Sequence, residues 1–118
     1  MPPEPPLHEI ELARDAGRLR IVLRGEIDVV ARPELEQVIR GLDPVGLERV
    51  TVDIREATFL DSTGLNMAHR LDRWGRDHGV VVVFTRAIPK VTRALRAAGL
   101  TLSLTFSDAP EDQLPSPS

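Results

Sequence analysis

The sequence predicts an α/β domain in which helices pack on a mixed, mostly parallel sheet of about five strands that begins with an N-terminal hairpin. Apolar and polar residues alternate at positions 19–23 and 50–54, as in strands with one buried face. Residues 80–84, "VVVVF", form a continuous apolar run, which is typical of a strand covered on both faces. Segments with helical spacing separate these strands, and strands joined through helices run parallel.

The first two strands are expected to form the hairpin. Residues 7–13 alternate loosely and indicate an edge strand. "DAG" at residues 15–17 is a turn signal before the strand at residues 19–23. The stretch "GEIDVV", residues 25–30, is expected to be a loop after this second strand.

Proline marks the first turn of the first helix, because Pro33 lacks an N–H group that this turn does not need. Helical spacing follows to about residue 42, where "LDPVG" breaks the helix. Ala31 stands where a Ser or Thr cap would start the helix, so we expect a late or frayed start. Residues 50–54 then return to the alternation of a strand.

A second amphipathic helix is predicted over residues 62–77, because apolar residues recur there every three positions and arginines face away from them. The arginines, expected to form a solvated face, are Arg70, Arg73 and Arg76. "HG" at residues 78–79 ends this helix before the strand at residues 80–84. A third helix is predicted over residues 88–98, and "LTLSLTF", residues 100–106, is predicted to be the last strand.

Length and composition fit one domain and exclude several classes of function. The chain has 118 residues, no cysteine, 3% aromatic residues and a net charge of −3. Without a basic surface or stacking aromatics we expect no nucleic-acid partner. Without a long apolar run or a secretion signal we expect no membrane association and a cytoplasmic location. Residues 1–6 and 109–118 are rich in proline and are predicted to be disordered tails around a domain at residues 7–108.

The stretch "TFLDSTGLNM", residues 58–67, places small polar residues at the start of the second helix. Asp61 or Ser62 can cap that helix by accepting a hydrogen bond from a free N–H group. The same geometry permits a second interpretation, in which the Ser62 hydroxyl is displayed for phosphorylation. A phosphate there would meet free N–H groups and the positive end of the helix dipole, so the domain would stay folded while its surface changed charge.

Three blocks of the sequence, "RIVLRGEID", "TVDIREATFLDSTGL" and "VVVVFTRAIPKVTRALRAAGL", together resemble STAS domains of the anti-anti-sigma factor (anti-sigma factor antagonist) type. The resemblance covers about residues 18–106, in order and with consistent spacing, and D-S-T-G-L is its most specific part. It implies the STAS fold, with Ser62 as the phosphorylation site and Thr63 as a possible second acceptor.

The resemblance also implies partners. Such proteins bind an anti-sigma factor with a GHKL-type fold that is also a serine kinase, and a PP2C-type phosphatase resets them. The chain would then be a substrate and switch that needs no cofactor, and not an enzyme. Four further residues would shape the site or contact the partner: Asp28, Asp61, Gly64 and Asn66. For Asp28, a loop aspartate that binds backbone donors is an equally good interpretation.

Two other classes of function remain open. In a hydrolase, Ser62 and His69 would have to meet, but seven residues along one helix separate them by about 10 Å, and G-x-S-x-G is absent. The three histidines have no metal-ligand spacing and are expected to be surface residues. Alternatively the chain is a STAS scaffold or sensor subunit that is never phosphorylated, and Ser62 is only a cap.

Overall fold

The computed structural model describes residues 7–107, and both predicted tails lie outside this range, as does residue 108 of the predicted domain. The described chain alternates six strands with three helices, which confirms the predicted α/β class. Five strands follow the order β1 (His8–Asp15), β2 (Arg18–Ile27), β3 (Arg49–Asp53), β5 (Val81–Thr85) and β6 (Phe106–Ser107), and β4 (Ala57–Leu60) pairs with β2 beside that path. No helix within residues 7–107 has both the length and the apolar character needed to cross a membrane.

The N-terminal hairpin forms as predicted. Strands β1 (His8–Asp15) and β2 (Arg18–Ile27) are antiparallel, with Asp15 opposite Arg18 at the turn. Ala16 occupies the left-handed region in this turn, with φ of 54°. The predicted loop at residues 25–30 is wrong in its first half, because β2 continues to Ile27.

Strand β2 is long because it has two successive partners on one side. Its first half pairs in parallel with β3 (Arg49–Asp53), and its end pairs in parallel with β4 (Ala57–Leu60). The register shifts at Gly25, whose φ of +79° suits glycine, and a side chain there would collide with the Leu7 carbonyl. Strand β4 was not predicted as separate from the segment after β3, and with it the sheet has six strands where about five were expected.

The last strand is much shorter than predicted. Beyond β5 (Val81–Thr85), β6 contains only Phe106–Ser107. The leucines of "LTLSLTF" form a turn instead, in which the Leu100 carbonyl accepts hydrogen bonds from the N–H groups of Ser103 and Leu104. Leu102 is 97% exposed in this turn, between the buried Leu100 and Leu104. The alternating leucines therefore gave the sequence pattern of a strand, although the segment is a turn.

The three helices are α1 (Arg32–Arg40), α2 (Ser62–His78) and α3 (Pro89–Ala97). Ala31 is the N-cap of α1 and provides no side-chain cap, but the helix does not start late: it begins at Arg32, directly after a single 3₁₀ turn, Val29–Ala31. Gly79, with φ of 69°, ends α2 in the left-handed conformation.

One hydrophobic cluster joins the helices to the sheet. Helices α1, α2 and α3 contribute Leu35, Leu71 and Leu95 to it, each at most 2% exposed. Alternate residues of β2, β3 and β5 complete the cluster: Ile21, Leu23, Val50, Val52, Val82 and Phe84. Strand β5 also buries Val83 and Thr85 on its other side, so most of the strand is covered on both faces, as predicted. The exception is Val81, which is exposed.

Candidate functional site

The candidate site lies where the adjacent parallel strands β2 and β4 end. Ile27 is paired with Leu60, and the Asp61 N–H donates to the Ile27 carbonyl at 3.3 Å. The segments after these two strands therefore leave the same end of the sheet side by side. One carries Asp28 and the 3₁₀ turn, and the other carries Asp61 and the start of α2.

Asp61, and not Ser62, caps α2. Its backbone is extended, and its Oδ1 accepts hydrogen bonds from the N–H groups of Thr63 (2.8 Å) and Gly64 (3.4 Å). These contacts resolve the choice between Asp61 and Ser62 that the sequence left open. They also leave the Ser62 side chain with no capping role.

Ser62 is the first residue of α2, and its side chain is exposed. Within residues 7–107 its hydroxyl makes no hydrogen bond. An exposed hydroxyl at the start of a helix is accessible to a modifying enzyme. A phosphate bound to it would lie at the positive end of the helix dipole.

The other predicted site residues differ in accessibility. Thr63 is half-buried and Asn66 is exposed, and both line the same pocket as Ser62. Gly64 is buried where α2 lies against the ends of β2 and β4. A Cβ atom there would come within 2.9 Å of Leu60 and 3.0 Å of the Ile27 carbonyl, so the space that Gly64 provides serves helix–sheet packing.

The Asp28 side chain is hydrogen-bonded to the backbone of the 3₁₀ turn that follows it. Its Oδ1 accepts a hydrogen bond of 3.0 Å from the Val30 N–H and so caps the 3₁₀ turn. No hydrogen bond joins Asp28 to Ser62 in the described part of the chain, although their segments are neighbours. Asp28 therefore binds a backbone donor, which is the alternative interpretation that its sequence position allowed.

A surface pocket of about 280 Å³ opens between the first turns of α1 and α2. Its lining residues are Arg32, Leu35, Glu36, Ser62, Thr63, Asn66, Met67 and Arg70. Arg70 donates two hydrogen bonds to Glu36, at 2.5 and 3.2 Å, and these bonds lower the pKa of the Glu36 carboxyl. Arg32 and Glu36 were not identified from the sequence, because the pocket forms only when α1 packs beside α2.

The predicted solvated arginine face of α2 is exposed at Arg73 and Arg76, whereas Arg70 is half-buried. Arg70 is bound by Glu36, and Arg76 binds both Asp72 and the Ser103 carbonyl. Only Arg73 is exposed without such a partner within residues 7–107. Helical periodicity did not predict the ion pairs of Arg70 and Arg76, because it carries no information on acidic residues of other turns and other elements.

The histidines support neither a catalytic triad nor a metal site. Ser62 and His69 lie on the same helix, and no hydrogen bond connects them. His8 was expected at the surface, but its side chain is only 8% exposed, and its Nε2 lies 2.7 Å from Glu34 Oε1. Residues 7–107 contain no group of three or more side chains that could hold a metal ion.

Comparison with known families identifies the class. A family model described as "Mlab, STAS domain" matches residues 10–105, and the chain therefore belongs to the STAS domain family. No curated protein sequence matches it.

Solved structures show the same fold. An anti-sigma factor antagonist from Mycobacterium paratuberculosis is 23% identical, with a TM-score of 0.74 over 89% of each chain. Unphosphorylated SpoIIAA, also described as an anti-sigma factor antagonist, is 16% identical, with a TM-score of 0.68 over 84% of this chain and 88% of that one. The murine anion transporter Slc26a9 matches with 15% identity and a TM-score of 0.68 over 85% of this chain, but over only 17% of its own.

Proposed function

We propose that this chain is an anti-sigma factor antagonist that works as a phosphorylation switch in the bacterial cytoplasm. It binds an anti-sigma factor with a GHKL-type serine kinase fold, and a sigma factor is thereby released. The kinase phosphorylates Ser62 to end the complex, and a PP2C-type phosphatase restores the hydroxyl. The observation that carries the proposal is the exposed Ser62 hydroxyl, free of hydrogen bonds within residues 7–107 because Asp61 caps the helix.

The chemical step requires only the serine from this chain. The Ser62 oxygen attacks the γ-phosphorus of ATP, and the bond from that phosphorus to the β–γ bridging oxygen breaks, so ADP leaves. The hydroxyl proton passes to a base of the kinase. The product carries about −1.5 to −2 added charges at the first turn of α2.

Exposed apolar residues at the same end of the sheet as Ser62 support a protein partner. Val29 and Val30 follow directly after Asp28 and are 61% and 70% exposed. Ile88, at the start of α3, is also exposed, at 38%. Exposed apolar residues at the same end of the sheet as a modifiable serine suit an interface, because a charge added within that interface would require desolvation and would repel acidic groups.

The remaining site residues take supporting roles in this proposal. Asp61 holds the serine segment through the cap, and Gly64 lets α2 approach the sheet. Asn66 and Asp28 border the surface that the partner would contact, and Thr63 is a second possible acceptor. The similar solved structures support a regulatory role, since they include anti-sigma factor antagonists, one of which, SpoIIAA, is known in unphosphorylated and phosphorylated forms.

Mass spectrometry after incubation with ATP and each purified GHKL-type anti-sigma kinase of the host tests the proposal. We expect a mass increase of one phosphate with one of these kinases, its absence in Ser62→Ala, and its persistence in the matched control Thr63→Ala. The PP2C-type phosphatase should remove the added mass. Unmodified wild-type protein with every kinase would contradict the switch.

A scaffold or sensor subunit is the second candidate. The similarity to a 17% segment of an anion transporter favours it, because the same fold there is one part of a larger protein. In this case the chain would bind a partner regardless of Ser62 chemistry. A stable complex that contains only unmodified chain, with equal affinity for wild type and Ser62→Asp, would support this candidate over the switch.

A further inference from the structure

We propose that Arg32 is the internal counter-cation of phosphorylated Ser62, so that its guanidinium group binds the phosphate across the pocket between α1 and α2. This inference rests on the proposed phosphorylation of Ser62 and names a residue that regulates the same site.

The pocket places the two side chains in reach of each other. Arg32 is the first residue of α1 and Ser62 the first residue of α2, and both line the same space of about 280 Å³. A phosphate extends the serine side chain into that space. Arginine is long and presents parallel N–H groups that match two phosphate oxygens at once.

Arg32 is also the available cation of this pocket. Its side chain is exposed and makes no hydrogen bond or ion pair within the described range 7–107. The second guanidinium of the pocket, that of Arg70, is already bound by Glu36 through two hydrogen bonds. A new phosphate would have to break that pair to use Arg70, whereas Arg32 has only a charge–charge attraction to Glu36 and no hydrogen bond to lose.

The position of Arg32 is unfavourable for the unmodified helix. A positive charge in the first turn opposes the helix dipole, whose N-terminal end is itself positive. The only acidic residue in the first turn of α1 is Glu34, which binds His8. A phosphate on Ser62 would offset this repulsion, because it brings negative charge to the N-terminal ends of both helices.

The pairing gives phosphorylation a second effect on the surface. The phosphate would fill the pocket mouth and would also withdraw the Arg32 guanidinium from any acidic group of a partner. The modified site would therefore lose both a hydroxyl and an accessible cation.

Phosphorus NMR of protein that carries phosphoserine at position 62, incorporated during translation, tests the pairing without any kinase. A nearby cation stabilises the dianion and lowers the second pKa of the phosphate. We expect this pKa to rise by about 0.2–0.7 in Arg32→Gln, the range for an exposed ion pair. Arg40→Gln removes the same charge from the far end of α1 and should leave the value unchanged.

Equal phosphate pKa values in wild type and Arg32→Gln would overturn the inference, and so would a rise in Arg70→Gln without one in Arg32→Gln. Far-ultraviolet circular dichroism of each variant checks that the helices are intact. Because the phosphoserine is incorporated directly, failure of the pairing is distinguishable from failure of the kinase reaction on the unmodified protein.

Discussion

Asp61 and Ser62 are neighbours that could each cap a helix, but only Asp61 caps α2, and Ser62 keeps an exposed hydroxyl. The extended backbone at Asp61, with φ of −101° and ψ of −164°, directs its carboxylate to the first free N–H groups of α2. Ser62 already has helical geometry and projects outward from the first turn. The order Asp-Ser, rather than either residue alone, therefore produces a capped helix with a free hydroxyl.

A Gly64→Ala substitution should destabilise the fold by about 1–3 kcal/mol, because its methyl group would press on Leu60 and on the Ile27 carbonyl. The sign of the change in unfolding free energy distinguishes the two cases, since glycine to alanine at a solvent-exposed helix position stabilises by about 0.5–1 kcal/mol. Urea unfolding at neutral pH measures the difference. Asn66→Ala, an exposed change on the same helix, is the control and should shift stability by no more than about 0.5 kcal/mol.

Among the elements, strands β2, β3 and β5 are joined by a buried polar network as well as by their backbones. Asp53, 5% exposed at the end of β3, accepts hydrogen bonds from Arg20 of β2 (2.8 Å) and from Arg55 (2.7 Å). Thr85 of β5 donates to the same carboxylate at 3.4 Å. Burial opposes ionisation, but the hydrogen bonds from Arg55 and Arg20 outweigh it and hold the pKa of Asp53 well below its ordinary value.

Asp53→Asn should therefore lower stability in a pH-dependent way. A carboxyl group whose pKa is lower in the folded state stabilises the fold above its unfolded pKa of about 3.9, and this contribution disappears as pH falls through the folded pKa. We expect a loss of about 1–3 kcal/mol at pH 7 that shrinks below about pH 4.

Urea titrations of wild type and Asp53→Asn at pH 7 and at about pH 3 measure this difference. Asp77→Asn makes the same charge change at an exposed position of α2 and is the control. A stability difference that is as large in acid as at neutral pH would show that the loss comes from packing rather than from the ionised carboxylate.

For the whole molecule, the proposed switch separates binding from folding. Ser62→Asp should leave the fold intact and raise its stability by about 0.3–1 kcal/mol, because a negative charge suits the start of α2. The same variant should bind the anti-sigma factor at least about tenfold more weakly, because the charge is added within the proposed partner interface.

Calorimetry of the complex and thermal unfolding of the free protein measure the two effects of Ser62→Asp separately. Ser62→Asn is the matched control, because it has nearly the same shape as the aspartate without the charge. Equal affinity of Ser62→Asp and Ser62→Asn would refute the charge argument, whereas unfolding of Ser62→Asp would refute the claim that the scaffold tolerates the modification.

Local patterns were sufficient to predict much of the fold. The hairpin, the three helices and the position of Ser62 in a first helical turn follow from alternation, helical spacing and the chemistry of caps, which act over a few residues. The short strand β4 and the turn at the predicted last strand escaped this reasoning. A short segment such as β4, or the alternating leucines at residues 100–104, forms a strand only if a neighbouring strand pairs with it. Such a neighbouring strand is distant in the sequence.

The α/β class, the STAS resemblance and the serine as the candidate for modification all follow from the amino-acid sequence. Which cations and carboxylates meet became visible in the folded chain alone: Arg70 and Glu36 are 34 positions apart, and Arg20 and Asp53 are 33 apart. Periodicity reports which face of an element is apolar. It carries no information on which charged side chain of another element will lie opposite once the apolar faces have packed.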